Sequence, residues 1–312
     1  MCVNIVPKKM LNRRILRIKA FKVIYSRTEN PSMTVGEGEA QLELSCEATR
    51  TLWLFLLAVV SALTEEAGRR IEAARSKFNP SDEERNPNMK FVSNRIAPLL
   101  AGDPDFCKAV SRRKLSWEQF DVFLRHLYEN LRTRDYYLRY MESGESSLKE
   151  DAALWASIFE NEFEDNAELE EILEDLGMWW NDDLSYALIW CCRTMDELGK
   201  GKPWNLLPLY MSDLSDKGES DKAFVVKVVR AAFVHYDEFV SRISEITPKW
   251  DHSRICSTDL ALIISGLAEK TAFPELASGI IINEYVEISK YYSTPESRSF
   301  VNGILDKLIN SK

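Results

Sequence analysis

The stretch INEYVEISKYYSTPESRSFVNGILDKL, residues 282–308, decides the fold class of this chain. Apolar residues recur in it at intervals of three or four, which is the spacing of helices that bury one face. Between the two apolar runs lies Thr294-Pro295, which predicts a helix start with Thr294 as N-cap and Pro295 at the first helical position. Ser293 with Glu296 forms a competing capping box, so the residues alone leave two registers open.

The predicted final helix carries two residues that a helix built only for stability would avoid. Gly303 in its interior lowers helix stability by about 1 kcal/mol relative to alanine, and a close approach of a neighbouring helix would justify it. Phe300 lies one turn after Glu296, near the N-terminal end, and on the residues alone it is most simply a core residue. The apolar positions of the helix form a buried stripe at Ile304, Leu305, Leu308 and Ile309.

Helical periodicity also governs the rest of the chain. Glycine and proline are sparse, at 12 and 11 of 312 residues, and no run of alternating residues indicates a sheet. Ser116 is predicted to start one helix through a capping box, and Asp183 to cap another over residues 184–198. Further helices are predicted at residues 39–78, 221–244, 254–270, 280–292 and 295–310. The sequence therefore predicts an all-α fold.

An acidic block lies behind the net charge of −9. Residues 142–183 hold 15 Asp or Glu and one Lys, a balance of −14, so the rest of the chain carries +5. The periodicity of the block predicts two acidic helices. Its Trp179-Trp180 pair is interpreted as a core anchor, because the flanking acids would repel the phosphates of a stacked nucleic acid. Residues 200–220, rich in Gly, Pro, Ser and Asp, form the clearest linker.

The cysteines and the apolar runs bear on the compartment. Six cysteines occur without a CxxC pair, which favours reduced thiols in the cytoplasm. The N-terminus has no continuous apolar segment, so a secretory signal is not expected. The longest apolar run, residues 52–63, has 12 residues. A membrane span needs about 20, so a buried helix and no membrane partner are predicted.

A basic helix is predicted near the N-terminus. Residues 8–22 contain seven Lys or Arg and no acidic residue, with apolar residues interleaved at helical spacing. At about 100° per residue, Arg13, Arg14 and Arg17 share one arc of the helix. Two interpretations stay open: a solvated face, or a surface for an anionic partner that relieves the mutual repulsion of the arginines.

No motif points to catalysis, a cofactor or a metal. The histidines His126, His235 and His252 are scattered, and none belongs to an HExxH motif. Glycine-rich phosphate loops and the GxSxG elbow do not occur. The adjacent acidic pairs Glu170-Glu171 and Asp182-Asp183 point in different directions on a helix and are interpreted as surface or cap residues. The sequence gives no specific reason to propose an enzyme.

Both ends of the chain resemble the NusB transcription antitermination family. Residues 12–25, NRRILRIKAFKVIY, are similar to its first helix, with Arg-Arg-x-x-Arg and a following Ile-Tyr. Residues 282–308 resemble its closing signature: Asn-Glu, an apolar helix, Lys-aromatic, then Ser-x-x-Phe-Val-Asn-Gly-x-Leu-Asp. Between them, similar residue types to those of the family's preceding helix stand at Trp250, Arg254-Ile255, Asp259 and Glu269.

The resemblance implies a function and a set of roles. The family folds as two small helical bundles and binds the boxA element of single-stranded RNA together with NusE, a small-subunit ribosomal protein, in the RNA polymerase antitermination complex. Residue-wise matching implies RNA binding by Arg13, Arg14, Arg17, Glu296 and Phe300. Asp259 matches an acidic position that faces NusE. Arginine can pair with phosphate, and an exposed aromatic ring can stack on an unpaired base.

The resemblance also implies a domain organisation for this long chain. It predicts N-terminal family-like helices at 1–77, an acidic helical insertion at 78–218, and C-terminal helices at 219–312 that pack with residues 11–28. One departure from the family is that Leu276-Ala277 and Gly279 stand where an apolar-Pro pair and a basic residue are usual. The role of the insertion does not follow from the motif.

Two other functions remain open at this point. A protein-interaction or ribosome-assembly factor that binds NusE without RNA would fit the acidic block and the departures at Ala277 and Gly279. An RNA methyltransferase is less favoured, because such enzymes place a cofactor-binding sheet after a domain of this kind and this sequence ends at the closing signature.

Overall fold

The computed structural model describes residues 8–177, 179–180, 182–205, 221–247 and 255–310, with side chains from residue 13 onward. The described part is helical and contains no strand, which confirms the predicted all-α class. Its α-helices are α1 (Lys8–Glu29), α2 (Val35–Arg75), α3 (Asp82–Arg85), α4 (Ile96–Ala101), α5 (Pro104–Arg112), α6 (Asp121–Leu131), α7 (Asp135–Glu142), α8 (Leu148–Asn161), α9 (Ala167–Leu176), α10 (Leu184–Gly199), α11 (Asp221–Val234), α12 (Tyr236–Ile246), α13 (Ser257–Ala272), α14 (Ser278–Tyr292) and α15 (Pro295–Asn310).

The chain forms two compact units. The terminal unit combines Met1–Glu47 with Tyr210–Lys312, and the central unit is Ala48–Leu209. The geometric boundary at Glu47 and Ala48 lies inside α2, earlier than the predicted boundary at 77. The predicted ranges 1–77, 78–218 and 219–312 concern family organisation and stay a prediction.

Helix α13 is the centre of the terminal unit. Residues 261–269 are all buried, so the helix is enclosed on every side. It packs against α1, α11, α12, α14 and α15. A helix in this position needs apolar residues around its whole circumference, and the only long polar side chain in the buried run is Glu269.

Helices α13 and α15 approach each other closely at Gly266 of α13. A Cβ placed on Gly266 would lie 2.6 Å from a methyl carbon of Leu305, whereas a Cβ on Gly303 would meet nothing within 4 Å. The prediction that a neighbouring helix approaches Gly303 is therefore wrong. The glycine that allows close packing of this pair belongs to the partner helix.

The start of α15 resolves the two predicted registers. The Ser297 N–H donates to Oγ1 of Thr294 at 3.3 Å, so Thr294 is the N-cap and Pro295 the first helical residue. The Ser293 hydroxyl donates instead to the Asp259 carboxylate. The predicted stripe is present: Ile304, Leu305 and Leu308 are buried and Ile309 is half-buried.

The central unit has an aromatic core. Phe55 stacks on Trp117 at 4.2 Å and on Trp180 at 5.6 Å between ring centroids. Helices α8 and α10 pack closely, since a Cβ on Gly199 would lie 2.9 Å from the Cβ of Ala152. Trp180 is 6% exposed, which agrees with its interpretation as a core anchor. The two predicted acidic helices are α8 and α9.

Three local predictions need correction. Ser116 does not cap an α-helix: its hydroxyl accepts from the Glu118 N–H, a 3-10 turn follows over Glu118–Phe120, and α6 begins at Asp121. Asp183 precedes α10 without capping it, because its carboxylate accepts the Thr49 hydroxyl at 2.6 Å. The predicted helix at 221–244 breaks at His235, where neither proline nor glycine gives a signal.

Among the described residues, α2 is the one helix long and apolar enough to cross a membrane by length and composition. Of its most apolar 18-residue window, 67% is buried inside the protein. The predicted apolar run at 52–63 lies in this helix, and Leu52, Leu56 and Leu63 are each 0% exposed. This burial is what a core helix shows.

Several predicted features lie outside the described residues. These are most of the linker at 200–220, His252, and the family-like Trp250 and Arg254. None of the described cysteines, Cys46, Cys107, Cys191, Cys192 and Cys256, forms a disulfide.

Candidate nucleic-acid interface

Arg17 is the buried member of the α1 arginines. Its guanidinium donates to both carboxylate oxygens of Glu269, the shortest contacts being 2.7 and 2.8 Å, and to Glu284 at 3.3 Å. Arg17 is 6% exposed and Glu269 is 0% exposed. The guanidinium of Arg17 therefore faces the protein interior, and its role in RNA binding stays a prediction.

A tyrosine completes this buried network. The Tyr285 hydroxyl donates to Glu269 at 2.9 Å, so the carboxylate accepts bonds from two helices. Burial disfavours the charge on Arg17, but its hydrogen bonds with Glu269 keep the Arg17 pKa above its usual value. Burial raises the pKa of Tyr285 well above the usual tyrosine value. A buried ion pair of this kind has its partners satisfied and fixes how α1 sits on α13 and α14.

Arg14 lies at the rim of the same network. Its guanidinium donates to the two oxygens of Glu284 at 2.9 and 3.1 Å, and 43% of its side chain stays exposed. The hydrogen bond to Glu284 raises the pKa of Arg14. A bidentate pair holds the plane of the guanidinium in place and leaves the outer edge available to a ligand.

Arg13 is held by a ring as well as by charge. Its guanidinium lies 4.1 Å from the centroid of the Phe224 ring, a cation–π contact, and 4.0 Å from the Asp221 carboxylate. The side chain is 29% exposed. The sequence shows no acid near the three arginines on α1, and the structure supplies one to each of them from α11, α13 or α14.

The α14–α15 corner carries the other predicted residues. Glu296 is exposed in the first turn of α15, and Phe300 is half-buried one turn later. Gly303 lies on the same helix face, three residues after Phe300. Asp259 is 5% exposed and accepts the Ser293 hydroxyl, so it braces this corner rather than facing outward.

Of the two adjacent tyrosines at the end of α14, one packs against the core and the other is exposed. Tyr292 packs on Phe21 of α1 with ring centroids 5.1 Å apart. Tyr291 is 82% exposed and lies within electrostatic range of Arg14. Neighbouring helix positions point about 100° apart, so only one ring of such a pair can face the core. The pair itself is the sequence signal that would have found Tyr291.

Electrostatic contacts join α1 to α15 across α14. Glu287 interacts with Arg14 and with Arg298, and its hydrogen bond with Lys290 is the main cause that lowers its pKa. Arg14 is thus within electrostatic range of Tyr291 and Glu287, and Glu287 is within range of Arg298. These four residues of the terminal unit define what we call the α14 surface. The surface combines cations with an exposed ring, the two features that single-stranded nucleic acid uses.

Comparison with known proteins identifies the family. The NusB family model matches residues 191–310. A transcription antitermination protein NusB of Acetivibrio thermocellus is 35% identical over 97 residues, 31% of this chain and 67% of the relative. The NusB of Methylacidiphilum infernorum is 32% identical over 113 residues, 36% of this chain and 79% of the relative. The chain belongs to the NusB family.

A third NusB relative, from Desulforapulum autotrophicum, is 34% identical over 116 residues, which cover 36% of this chain and 79% of the relative. No solved structure matches the chain. The match to the NusB family model begins within α10, so it does not include α1. That residues 12–25 correspond to the family's arginine-rich helix stays a prediction, supported by the ion pairs that join Arg14 and Arg17 to the matched region.

The loop before α14 contains the residues at which the sequence departs from the NusB family pattern. Ala277 precedes the helix without a side-chain cap, and nothing lies within 4 Å of a Cβ on Gly279. The Lys270 ammonium instead donates to the carbonyls of Pro274 at 2.8 Å and Leu276 at 2.9 Å. Lys270 from α13 therefore anchors the loop that precedes α14.

Proposed function

We propose that this protein is an RNA-binding transcription antitermination factor that binds boxA-like single-stranded RNA together with NusE. Its family and the names of its relatives support this proposal. The proposal requires no cofactor and no catalytic residue, and it places the protein in the cytoplasm, where the RNA polymerase antitermination complex works.

The observation that carries the proposal is the α14 surface. Arg14, with 43% of its side chain exposed, interacts electrostatically with Tyr291, whose side chain is 82% exposed. Phosphate attracts the guanidinium, and an unpaired base can stack on the tyrosine ring.

The proposal assigns separate tasks to the predicted residues. Arg13 and Arg14 contact phosphate, while Arg17 acts from the interior by holding α1 against Glu269. Glu296 accepts a hydrogen bond from a base amino group, as carboxylates do with cytosine. Phe300 offers its exposed edge to a base.

Asp259, the residue predicted to face NusE, has an indirect role in this proposal. Asp259 acts on NusE through the segment it holds, since its carboxylate binds Ser293 just before α15. We expect Asp259→Asn to weaken NusE binding by less than the loss of an exposed contact would, because a neutral amide still accepts the hydroxyl.

The test compares two neutralised pairs in the full chain. Arg13→Gln with Arg14→Gln removes two candidate phosphate contacts and keeps a donor beside Glu284. Arg132→Gln with Arg139→Gln is the matched control, since both control arginines are exposed in the central unit and the change in net charge is equal. Binding of boxA-like RNA, with and without NusE, is measured across a salt series.

The dependence of RNA affinity on salt concentration decides whether the α1 arginines contact RNA. Each lost phosphate contact flattens the slope of log affinity against log salt by about 0.7 for a single strand, so the first pair is expected to flatten it by about 1.4. The control pair should leave the slope unchanged. Equal slopes for the two pairs, with both proteins folded by circular dichroism, would contradict the RNA role of α1.

A second function is favoured by the internal pairing of the arginines. Because Arg17 is buried and Arg14 already binds Glu284, the protein could be an interaction or ribosome-assembly factor that binds NusE without RNA. This alternative predicts a stable NusE complex from purified components and no RNA binding at low salt, either alone or with NusE present.

A further inference from the structure

Helix α5, in the central unit, ends in a motif that normally contains glycine. The Lys114 N–H donates to the Ser111 carbonyl at 3.0 Å and the Leu115 N–H to the Val110 carbonyl at 3.2 Å, which is a Schellman motif. The residue in the left-handed position is Lys114, with φ +53°. Glycine is usual there because a side chain destabilises this conformation for an L-residue.

The left-handed lysine is unusual within this protein. Among the described residues, the non-glycine positions with positive φ are Lys114 and Asp165. Aspartate tolerates this conformation through local hydrogen bonds of its short side chain, and lysine has no such property. Backbone strain of this kind clusters at functional sites, which makes Lys114 a candidate for a functional role.

Lys114 lines a cavity of about 390 Å³ within the central unit. Arg113, Ser116 and Gln119 give the cavity a polar side, and Leu176 and Trp180 give it an apolar side. The Ser116 oxygen already accepts the Glu118 N–H at 3.1 Å, so its hydroxyl proton remains to be donated. A cation, a hydroxyl donor and an apolar wall thus surround one space.

The local charge is positive in an otherwise acidic unit. Lys108, Arg112 and Lys114 are exposed and make no ion pair within the described part of the chain. Among the described residues that line the cavity, Glu118 is the one acid. Cations at a helix C-terminus also complement its dipole, and Arg113 donates to the Ala109 carbonyl at 3.2 Å in this way. The dipole accounts for charge in the last turn of α5, but it does not account for a lysine in the left-handed position.

We propose that this cavity binds the phosphate of a nucleotide. The Lys114 ammonium supplies the point charge, the Ser116 hydroxyl donates a hydrogen bond, and Arg113 adds positive potential. The base lies along Leu176 and Trp180. The nucleotide is either free or part of an RNA chain, and both sources present the same phosphate to the same residues.

The test measures binding and stability on one set of full-length variants. Calorimetric titrations use adenosine monophosphate, inorganic phosphate and a short 5′-phosphorylated single-stranded RNA. Lys114→Gly removes both the charge and the strain, so we expect affinity about tenfold weaker together with a melting temperature raised by about 2–4 °C. Lys114→Asn, which tolerates the left-handed conformation, provides a second neutral variant with the same expected loss of affinity.

Asp165→Gly is the matched control. It changes the other non-glycine residue with positive φ in the same unit, which does not line the cavity, so affinity should stay unchanged. Because aspartate tolerates the left-handed conformation, stability should rise less than in Lys114→Gly. Binding of the free nucleotide by the wild type assigns the site to free nucleotides, and binding of the RNA alone assigns it to RNA. The proposal is overturned if no probe binds the wild type at millimolar concentration, or if Lys114→Gly and Lys114→Asn bind as the wild type does. None of these outcomes depends on Arg13 or Arg14, so the RNA role of the terminal unit stands or fails separately.

Discussion

Two basic runs of similar density serve opposite purposes in this protein. Residues 13–17 contain three arginines, and each meets a carboxylate contributed by another helix. Residues 108–114 contain four cations, of which Lys108, Arg112 and Lys114 are exposed and without an ion pair in the described part of the chain. The first run is the one that the family resemblance marks for RNA, and it is the more enclosed.

The difference shows that a run of charge in a sequence does not reveal where the charge is used. Arg17 is fixed at the centre of the terminal unit, where burial makes its partners indispensable. Lys114 stands at a cavity in a conformation that lysine disfavours. The arginines of residues 13–17 stabilise the fold, and only the outermost of them are open to a ligand. Lys114, in contrast, lowers stability through its backbone conformation while it presents a charge at the cavity.

The largest expected effect comes from removing the buried charge. Arg17→Met leaves Glu269 unpaired at 0% exposure, and we expect a loss of about 3–5 kcal/mol in the free energy of unfolding. Urea denaturation followed by circular dichroism measures it. Lys108→Met is the matched change in the other run and should stay within about 0.5 kcal/mol. Similar losses for the two variants would abolish the distinction between the runs.

The next effect concerns the rim of the first run. Tyr291→Ala is expected to weaken RNA binding by about 1–3 kcal/mol, the usual contribution of one stacked base, with little change in stability because the ring is 82% exposed. Tyr291→Phe should keep the affinity, since stacking needs the ring and not the hydroxyl. Tyr25→Ala, at 38% exposure in the same unit, controls for loss of an aromatic residue. If Tyr291→Ala binds RNA as well as Tyr25→Ala does, the α14 surface is not where bases stack.

Local structure was predictable wherever a periodic pattern or a cap decides it. The final helix begins at Pro295 with Thr294 as its cap, and its apolar stripe is buried. These features depend on residues a few positions apart, so the sequence contains all the information they need. The break at His235 has no such signal, because neither proline nor glycine stands at that point of the sequence.

The site was less predictable because its partners are far apart in the chain. Arg14 and Glu284 are 270 residues apart, and Arg17 and Glu269 are 252 apart. No local pattern indicates which acid will neutralise an arginine, so the exposure of the three arginines could not be ranked. The left-handed conformation of Lys114 could not be predicted for a related reason. A Schellman motif is expected where the sequence has glycine, so a lysine in that position is recognised only from its φ angle in the structure.

The next prediction concerns glycines of the terminal unit, where substitution by alanine should change the free energy of unfolding by about 1 kcal/mol. Gly303→Ala should stabilise the protein by about that amount, because a Cβ there meets nothing and alanine favours the helix. We expect weaker RNA binding with it, since Gly303 shares a helix face with Glu296 and Phe300. Gly266→Ala is the matched change and should destabilise, because its Cβ would lie 2.6 Å from Leu305. Thermal unfolding of both variants checks the signs, and two equal signs would show that the packing of α13 on α15 is misjudged.

The smallest effect completes the comparison of the two basic runs. Arg112→Gln removes a charge in the last turn of α5 that complements the helix C-terminus, and it should cost about 0.3 kcal/mol at low salt. Lys108→Gln, one turn earlier in the helix, should cost less. Because both side chains are exposed, salt screens their interaction, and the cost should vanish near 1 M NaCl. The cost of Arg17→Met should persist at that salt concentration, since its network excludes solvent. Urea denaturation of all three variants at low and high salt measures this difference, and a salt-dependent loss for Arg17→Met would mean that its ion pair is open to water.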